Sequence, residues 1–395
     1  MKNERLILLM LAVTQFTHIV DFMIVMPLGA QFMEIFDISP TQFSWIVSVY
    51  ALAASIMGLF GAMYIDRYDR KTALLACYAG FIIGTFACAM SSGFVFFLLA
   101  RALTGLFGGI LSALVLAIVA DITPLERRGQ SMGIIMTAFS VASVVGVPLS
   151  LWLAALINWQ APFIAVGTIA SIMMLLLWRF MPTLTAHLKK STGKQPPLVA
   201  LQNIARDSNQ LKALLFSVVL ILGHFTIIPF IAPYMELNIG FSKFQIPYIY
   251  FVGGILTAIL LPLAGRISDR IGHVRVFIGS SIFALFSIYA ITNLPPVSIV
   301  MALVVTSSYF VASSGRNVPA TTMVTSVVSS ENRASFMSVR SSANEFALFL
   351  GSFIAGLIIK ENNDGSLANY EYVGYVAILM SILAILLSRQ LTLKA

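Results

Sequence analysis

Ionisable side chains stand inside long apolar runs at several points of this chain. Asp21 lies in the middle of a run that extends from residue 6 to residue 30, and His18 lies three positions before it. Placing a charge at the centre of a bilayer costs about 3 kcal/mol or more, so a carboxylate kept there usually faces a water-filled cavity, a cation or a proton path. We therefore predict that Asp21 binds and releases a proton, with a static ion pair as the alternative.

Arg101, Arg316 and Glu345 occupy comparable runs further along the chain. By helical rise, Arg101 lies about 10 Å and Asp21 about 14 Å from the outer ends of their runs, so the two can approach each other. Arg316 and Glu345 also share a depth. Because pairing offsets the cost of removing charges from water, we predict two ion pairs, Asp21 with Arg101 and Arg316 with Glu345. Charges balanced in this way favour a neutral, zwitterionic or weakly ionised substrate.

The remaining polar residues within the runs divide into two groups. His18 shares a helical face with Asp21 and titrates near neutral pH, so we predict that it assists proton coupling together with Arg101. A packing histidine is the alternative. The polar residues of the second half are predicted to bind substrate, or else to join neighbouring helices by hydrogen bonds; they are His224, Arg316, Asn317, Asn344 and Glu345.

The composition is that of a membrane protein. Of the 395 residues, 59% are hydrophobic and 10% are charged, whereas a soluble protein has about 25% charged residues. Apolar runs long enough to cross the bilayer recur twelve times along the chain, which predicts an all-α fold of twelve transmembrane helices. No stretch remains for a large soluble domain, so we do not expect an enzyme. The apolar start is expected to be an uncleaved first span.

The net charge of +8 sets topology and does not indicate nucleic-acid binding. Nearly all of the 24 lysines and arginines fall on loops of one side, while Lys243 and Lys360 lie on the other. This distribution follows the positive-inside rule and predicts that both termini are cytoplasmic, in a cell inner (plasma) membrane. No phosphate-binding loop and no metal-ligand spacing is present in the sequence, so we expect no cofactor and no metal. A monomer in the lipid bilayer is expected.

The longest polar stretch divides the chain into two halves. Residues 183–211 include a lysine-rich segment and the pair Pro196-Pro197, a composition typical of a linker. We predict a six-helix domain over residues 1–182, a cytoplasmic linker over 183–211 and a second six-helix domain over 212–395. The halves also resemble each other, since residues 22–34 align with residues 224–236 and Pro27 falls on Pro229.

Two further loops repeat in the same order. Residues 66–71 recur in residues 269–273, and residues 126–132 are echoed by residues 331–337. Three matches at a nearly constant offset indicate an internal duplication. Many secondary carriers are built from repeats of this kind.

Four motifs together resemble the major facilitator superfamily. They are the loop at 66–71 with its counterpart at 265–273, the sequence Leu99–Gly105, the sequence Gly146–Leu149 followed by residues 159–163, and the stretch from Val20 to Gly29. The combination resembles the twelve-span branch of drug–proton antiporters and arabinose-efflux-like proteins. The resemblance implies two pseudo-symmetric six-helix bundles that export a small organic molecule, such as a drug, sugar or metabolite, in exchange for protons by alternating access.

The resemblance also implies a charged latch in the cytoplasmic loops. In this family such loops make charge contacts that stabilise one transport state. The candidates are Asp66, Arg67, Arg70, Arg128 and Asp269. The alternative is that the basic residues only determine topology.

Two other classes of function remain open at this point. The same scaffold could import a small solute as a proton symporter or uniporter. It could also serve as a membrane sensor or lipid scramblase that transports no solute.

Overall fold

The computed structural model describes residues 4–65, 67–185, 202, 204–328 and 333–392. The first half contains α1 (Glu4–Ile24), α2 (Gly29–Phe36), α3 (Pro40–Ile65), α4 (Arg70–Ala89), α5 (Phe94–Ile122), α6 (Leu125–Val141), a π-helical segment (Ala142–Gly146), α7 (Val147–Leu156) and α8 (Ala161–Phe180). The second half contains α9 (Ser208–Phe225), α10 (Ile228–Leu237), α11 (Ile246–Ile271), α12 (His273–Thr292), α13 (Ile299–Ser326), α14 (Arg333–Ile358) and α15 (Tyr370–Ser388). Strands β1 (Lys360–Glu361) and β2 (Leu367–Ala368) form an antiparallel hairpin before α15.

Within the described residues, twelve helical segments are long and apolar enough to cross a membrane. The seventh of these joins α9 and α10, and the fifth joins α6, the π-helical segment and α7. The predicted all-α fold of twelve transmembrane helices is therefore confirmed.

Two spans break close to the residues predicted to be functional. The first span is interrupted after α1 by a turn over residues 25–28 that contains Pro27, and α2 then begins at Gly29. The seventh span is interrupted between α9 and α10, where Pro229 is the second residue of the new helix. Proline has no backbone N–H and its ring clashes with the preceding turn, so each break follows directly from the sequence. The two prolines occupy the aligned positions of the repeat.

The fifth span carries a milder irregularity. A π-helical turn over Ala142–Gly146 precedes α7, and Pro148 is the second residue of α7. A proline within a span removes one backbone hydrogen bond, and a widened turn accommodates its ring without ending the helix.

The chain forms two compact units, which we describe separately. Unit 1 comprises Met1–Val25 and Val49–Pro196. Its helices α3 and α5 approach closely, because a Cβ atom on Gly105 would clash with the backbone of Tyr50, and one on Gly109 would clash with the backbone of Ala54. Glycines at such positions let helix backbones come together inside a membrane, where packing supplies much of the association energy.

Unit 2 comprises Met26–Ser48 and Pro197–Ala395. The segment Met26–Ser48 packs on α10, where the rings of Phe43 and Phe230 meet edge to face with centroids 5.4 Å apart. Thr41 Oγ1 donates a 2.6 Å hydrogen bond to the carbonyl of Gly356 in α14. The predicted boundary placed this segment in the first domain, and the predicted domain division stays a prediction.

Candidate functional site

The side chains of Asp21 and Arg101 form a buried ion pair in unit 1. Arg101 Nη1 on α5 lies 2.8 Å from Asp21 Oδ2 on α1, and Thr85 Oγ1 on α4 donates to Asp21 Oδ1 at 3.1 Å. Arg101 is only 1% exposed, and Asp21 is 0% exposed. The first of the two predicted ion pairs is therefore present, and both carboxylate oxygens of Asp21 are hydrogen-bonded.

The guanidinium group of Arg101 also contacts an aromatic ring. Its central carbon lies 4.5 Å from the centroid of the Tyr50 ring on α3. A cation over an aromatic face is stabilised by about 2 kcal/mol when it is removed from water. The Nε atom of Arg101 has no hydrogen-bond partner among the described residues. Asp21 and Tyr50 thus hold Arg101 at two points, while Thr85 holds the carboxylate of Asp21.

A second polar network begins at the hydroxyl of Tyr50. Tyr50 Oη lies 2.7 Å from His18 Nε2, and His18 Nδ1 lies 3.3 Å from Ser112 Oγ. Gln15 Nε2 donates to the same Ser112 hydroxyl at 2.8 Å. His18, Ser112 and Gln15 are half-buried, in contrast to the sealed ion pair. The network leads from the ring beneath Arg101 to side chains with partial access to solvent.

The predicted ion pair between Arg316 and Glu345 in unit 2 is wrong. Arg316 Nη1 donates to Ser381 Oγ on α15 at 2.9 Å, and no ion pair joins Arg316 to Glu345 in the described residues. Helical rise fixes the depth of a residue but not the direction in which its side chain leaves the helix. Helix α13 packs mainly on α11 and α12, whereas α14 packs mainly on α9. The two residues therefore share a depth without sharing a contact.

His224 interacts with α13 in unit 2. Its ring is stacked on that of Tyr309 at a centroid distance of 5.9 Å, and Tyr309 Oη lies 3.1 Å from His224 Nδ1. Asn344 is half-buried, and within the part of the chain that the structure describes its Oδ1 atom has no hydrogen-bond partner. Asn317 is half-buried as well. Because it directly follows Arg316, its side chain leaves the helix about 100° away from that of Arg316. The structure brings His224 and Tyr309 together but does not gather all five predicted residues.

Residues near the starts of α4 and α6 in unit 1 hold the C-terminal end of α5. Arg70 Nε lies 3.1 Å from Asp121 Oδ2, and Arg128 Nη2 donates to the carbonyl of Ala120 at 2.8 Å. Asp69 begins α4 by accepting a hydrogen bond from the backbone N–H of Thr72 at 3.1 Å. Two of the predicted latch residues thus contact the same helix end.

The other latch candidates differ in their surroundings. Asp66 lies outside the described residues, and Arg67 is exposed. Asp269 is also exposed and forms no ion pair with any described residue. The latch as a functional element therefore stays a prediction.

Several partners of the charged residues were not identified from the sequence. Thr85, Ser112, Gln15 and Ser381 are common neutral residues of membrane helices, and nothing in their spacing distinguishes them. Asp121 could have been found, because it is an isolated acidic residue at the C-terminal end of an apolar run. No cluster of three or more potential metal ligands occurs among the described residues.

Comparison with known proteins gives the family. A sequence profile of the Major Facilitator Superfamily matches residues 11–314 and again residues 213–392. This chain belongs to the major facilitator superfamily. It is therefore a multi-pass membrane transporter and not an enzyme.

Individual relatives are distant. The transporter is 28% identical over 363 residues to the uncharacterized MFS-type transporter YwfA of Bacillus subtilis, covering 88% of this chain and 84% of that protein. It is 24% identical over 227 residues to a probable sugar efflux transporter of Helicobacter pylori, covering 58% of this chain and 55% of that protein.

Solved structures share the fold. A bacterial homologue of the human lysosomal transporter Spinster, in an inward-facing and unoccupied conformation, matches with a TM-score of 0.79 at 17% identity, over 98% of this chain and 97% of that one. A D-xylose–proton symporter matches with a TM-score of 0.76 at 17% identity, over 96% of each chain. At these identities the likeness establishes the fold alone.

Proposed function

We propose that the transporter exports a small organic molecule in exchange for protons by alternating access, in the cell inner membrane with both termini cytoplasmic. The observation that supports this most is the sealed ion pair of Asp21 and Arg101. Export is further supported by the sugar efflux transporters among its relatives.

The proton-coupling argument starts from charge balance. With Asp21 ionised, the pair is neutral and stable at bilayer depth. A proton on Asp21 would leave Arg101 as a buried cation with no anion, and breaking a buried pair in this way costs about 3–5 kcal/mol. Protonation is therefore accompanied by movement of Arg101 toward water or toward another partner. Since Arg101 rests on Tyr50, and Tyr50 contacts His18, this movement would disturb the half-buried network as well.

The sealed carboxylate also defines when the proton can exchange. Asp21 is 0% exposed in this conformation, so proton exchange needs an opening that exposes it. A site that is closed in one state and open in another is what coupling by alternating access requires. His18 is proposed to assist this exchange, because it is half-buried and its Nε2 atom lies 2.7 Å from the Tyr50 hydroxyl. The contacts of the ring are also those of a packing histidine, so its role is tested by substitution.

The decisive experiment measures proton and solute movement together. The purified transporter is reconstituted in liposomes containing a pH-sensitive dye, and a panel of drugs, sugars and amino acids is added. We expect at least one compound to move protons in the direction opposite to its own. Asp21→Asn should abolish this flux while the protein still inserts. Asp364→Asn is the matched control, because Asp364 is exposed in the β1–β2 hairpin and far in sequence from the pair.

Each other outcome points to a different function. Proton movement in the same direction as the solute would establish a symporter, and solute flux without protons would establish a uniporter. The absence of any saturable solute flux would favour a sensor or a lipid scramblase. Full proton-coupled flux in the Asp21→Asn variant would refute the role of Asp21.

A further inference from the structure

Unit 2 contains a buried cation, Arg316, that forms no ion pair with any described residue. Arg316 lies on α13, ten residues before the end of that helix at Ser326, which places it about 15 Å from the helix end. Its side chain is only 1% exposed. Among the described residues its hydrogen-bond partner is Ser381, a neutral hydroxyl that donates its own proton to the carbonyl of Ala377.

The contrast with Arg101 shows what is missing. Both arginines are buried to the same extent on spans of the membrane domain, but Arg101 has the carboxylate of Asp21 at 2.8 Å. The acidic residue expected at the depth of Arg316 was Glu345, and it makes no ion pair with Arg316. A charge at this depth is costly unless an opposite charge or water compensates for it. The expectation of balanced charges therefore fails for the described part of unit 2.

We infer that Arg316 binds the carboxylate of an organic anion, which is the substrate class of this transporter. A guanidinium group is planar and presents paired N–H groups that match a carboxylate in a two-point arrangement. Ser381 occupies one nitrogen, Nη1, so the fork formed by the other N–H groups is not used within the described residues. One positive charge is neutralised by one carboxylate, whereas a doubly charged phosphate would leave a negative charge in excess.

Neutral polar groups continue the site along the same helix. Tyr309, Ser313 and Arg316 are spaced at i, i+4 and i+7, so they share one face of α13. Ser313 is 1% exposed, and Tyr309 Oη lies 3.1 Å from His224 Nδ1. The strip from Arg316 to Tyr309 is about 10 Å long by helical rise. It would suit an acid with hydroxyl or carbonyl groups about the size of a sugar acid or an aromatic acid.

This assignment rests on the proposed function, since it names the substrate class of the same transporter. It can still be tested separately, because binding needs neither a proton gradient nor Asp21. The full chain is purified into lipid nanodiscs, and thermal stability is measured against matched acids and amides. The probes are acetate with acetamide, benzoate with benzamide, and glucuronate with glucose, each titrated at pH 7.5, with inorganic phosphate as a separate probe.

We expect saturable stabilisation by at least one acid and none by its neutral counterpart. Arg316→Gln should weaken the binding of that acid about tenfold or more, since hydrogen bonds to a charged group are lost. Arg316→Lys keeps the charge but loses the planar fork, so it should bind the acid with intermediate affinity. This second variant also covers the case in which Arg316→Gln does not fold.

Arg340→Gln is the matched control. Arg340 likewise donates to a serine hydroxyl, that of Ser217 at 2.7 Å, but it is half-buried on α14. Its substitution should leave acid binding unchanged. Equal stabilisation by an acid and its neutral counterpart, no stabilisation by any acid, tighter binding of phosphate than of every carboxylate, or unchanged acid binding in both Arg316 variants would overturn the assignment. Loss of proton-coupled flux with intact acid binding would instead count against the proposed antiport.

Discussion

Substituting Asp21 and Arg101 singly and together tests whether they act as one electrostatic unit. In Asp21→Asn the amide can still accept a hydrogen bond from Arg101, but the charge of Arg101 is no longer balanced. Because the two residues are 0% and 1% exposed and their charged atoms are 2.8 Å apart, we expect a loss of about 3 kcal/mol of stability, the lower end of the range for breaking a buried pair. The stacking of Arg101 on Tyr50 limits the loss to this lower end.

Arg101→Met should lower the stability by a similar amount, since among the described residues it leaves Asp21 with Thr85 as its remaining hydrogen-bond partner. The double variant removes both charges and so leaves neither unpaired. We therefore expect its loss to fall short of the sum of the single losses by about 2 kcal/mol, a coupling typical of residues in direct contact.

The measurement is equilibrium unfolding in mixed micelles, in which the fraction of sodium dodecyl sulfate is raised at constant pH and the helical signal is followed. The four proteins of the cycle are compared at the same lipid and detergent content. Additive losses, or a loss below about 1 kcal/mol in either single variant, would refute the view that the pair is a closed electrostatic unit. The proton-coupling proposal would then lose its physical basis.

Three further predictions concern neighbouring contacts. Tyr50→Phe removes the hydroxyl that contacts His18 but keeps the aromatic ring beneath Arg101. The free energy of unfolding should therefore fall by only about 1 kcal/mol, whereas the pH dependence of transport should change measurably. Gly105→Ala should destabilise unit 1 by about 2 kcal/mol or more, because the new methyl group would clash with the Tyr50 backbone. Gly133 has open space around it, so Gly133→Ala should be neutral or slightly stabilising in the same unfolding assay. Asp121→Asn should lower stability by less than about 1 kcal/mol, since Asp121 is 34% exposed in its pair with Arg70. It should nevertheless alter the transport rate if the contact between Asp121 and Arg70 acts as a latch; an unchanged rate would favour a purely topological role.

The membrane fold and one of the two expected ion pairs, that of Asp21 with Arg101, could be predicted from the sequence. Apolar runs and basic loops indicate spans directly, because the bilayer imposes length and polarity on them. The pairing of Asp21 with Arg101 also followed from depth, since two opposite charges at one depth in a small bundle have few other partners.

The rest of the site depends on direction around each helix, which depth does not give. Arg316 reaches Ser381, and Glu345 remains apart from it, because α13 and α14 pack on different helices. Neutral partners such as Thr85 and Tyr50 escape detection for another reason. Their residue types are frequent in membrane helices, so only the three-dimensional contact distinguishes them.

The aligned breaks in the first and seventh spans bear on the history of the molecule. Pro27 and Pro229 interrupt their helices at equivalent points of the two copies. If the copies arose by duplication of one gene, the interrupted helix was already present in the ancestor of half the size. The acidic Asp21 has no such twin, and His224 stands one position past the place where one would be. After the duplication the two copies of this bend then diverged, so that the residues beside them now differ in chemistry.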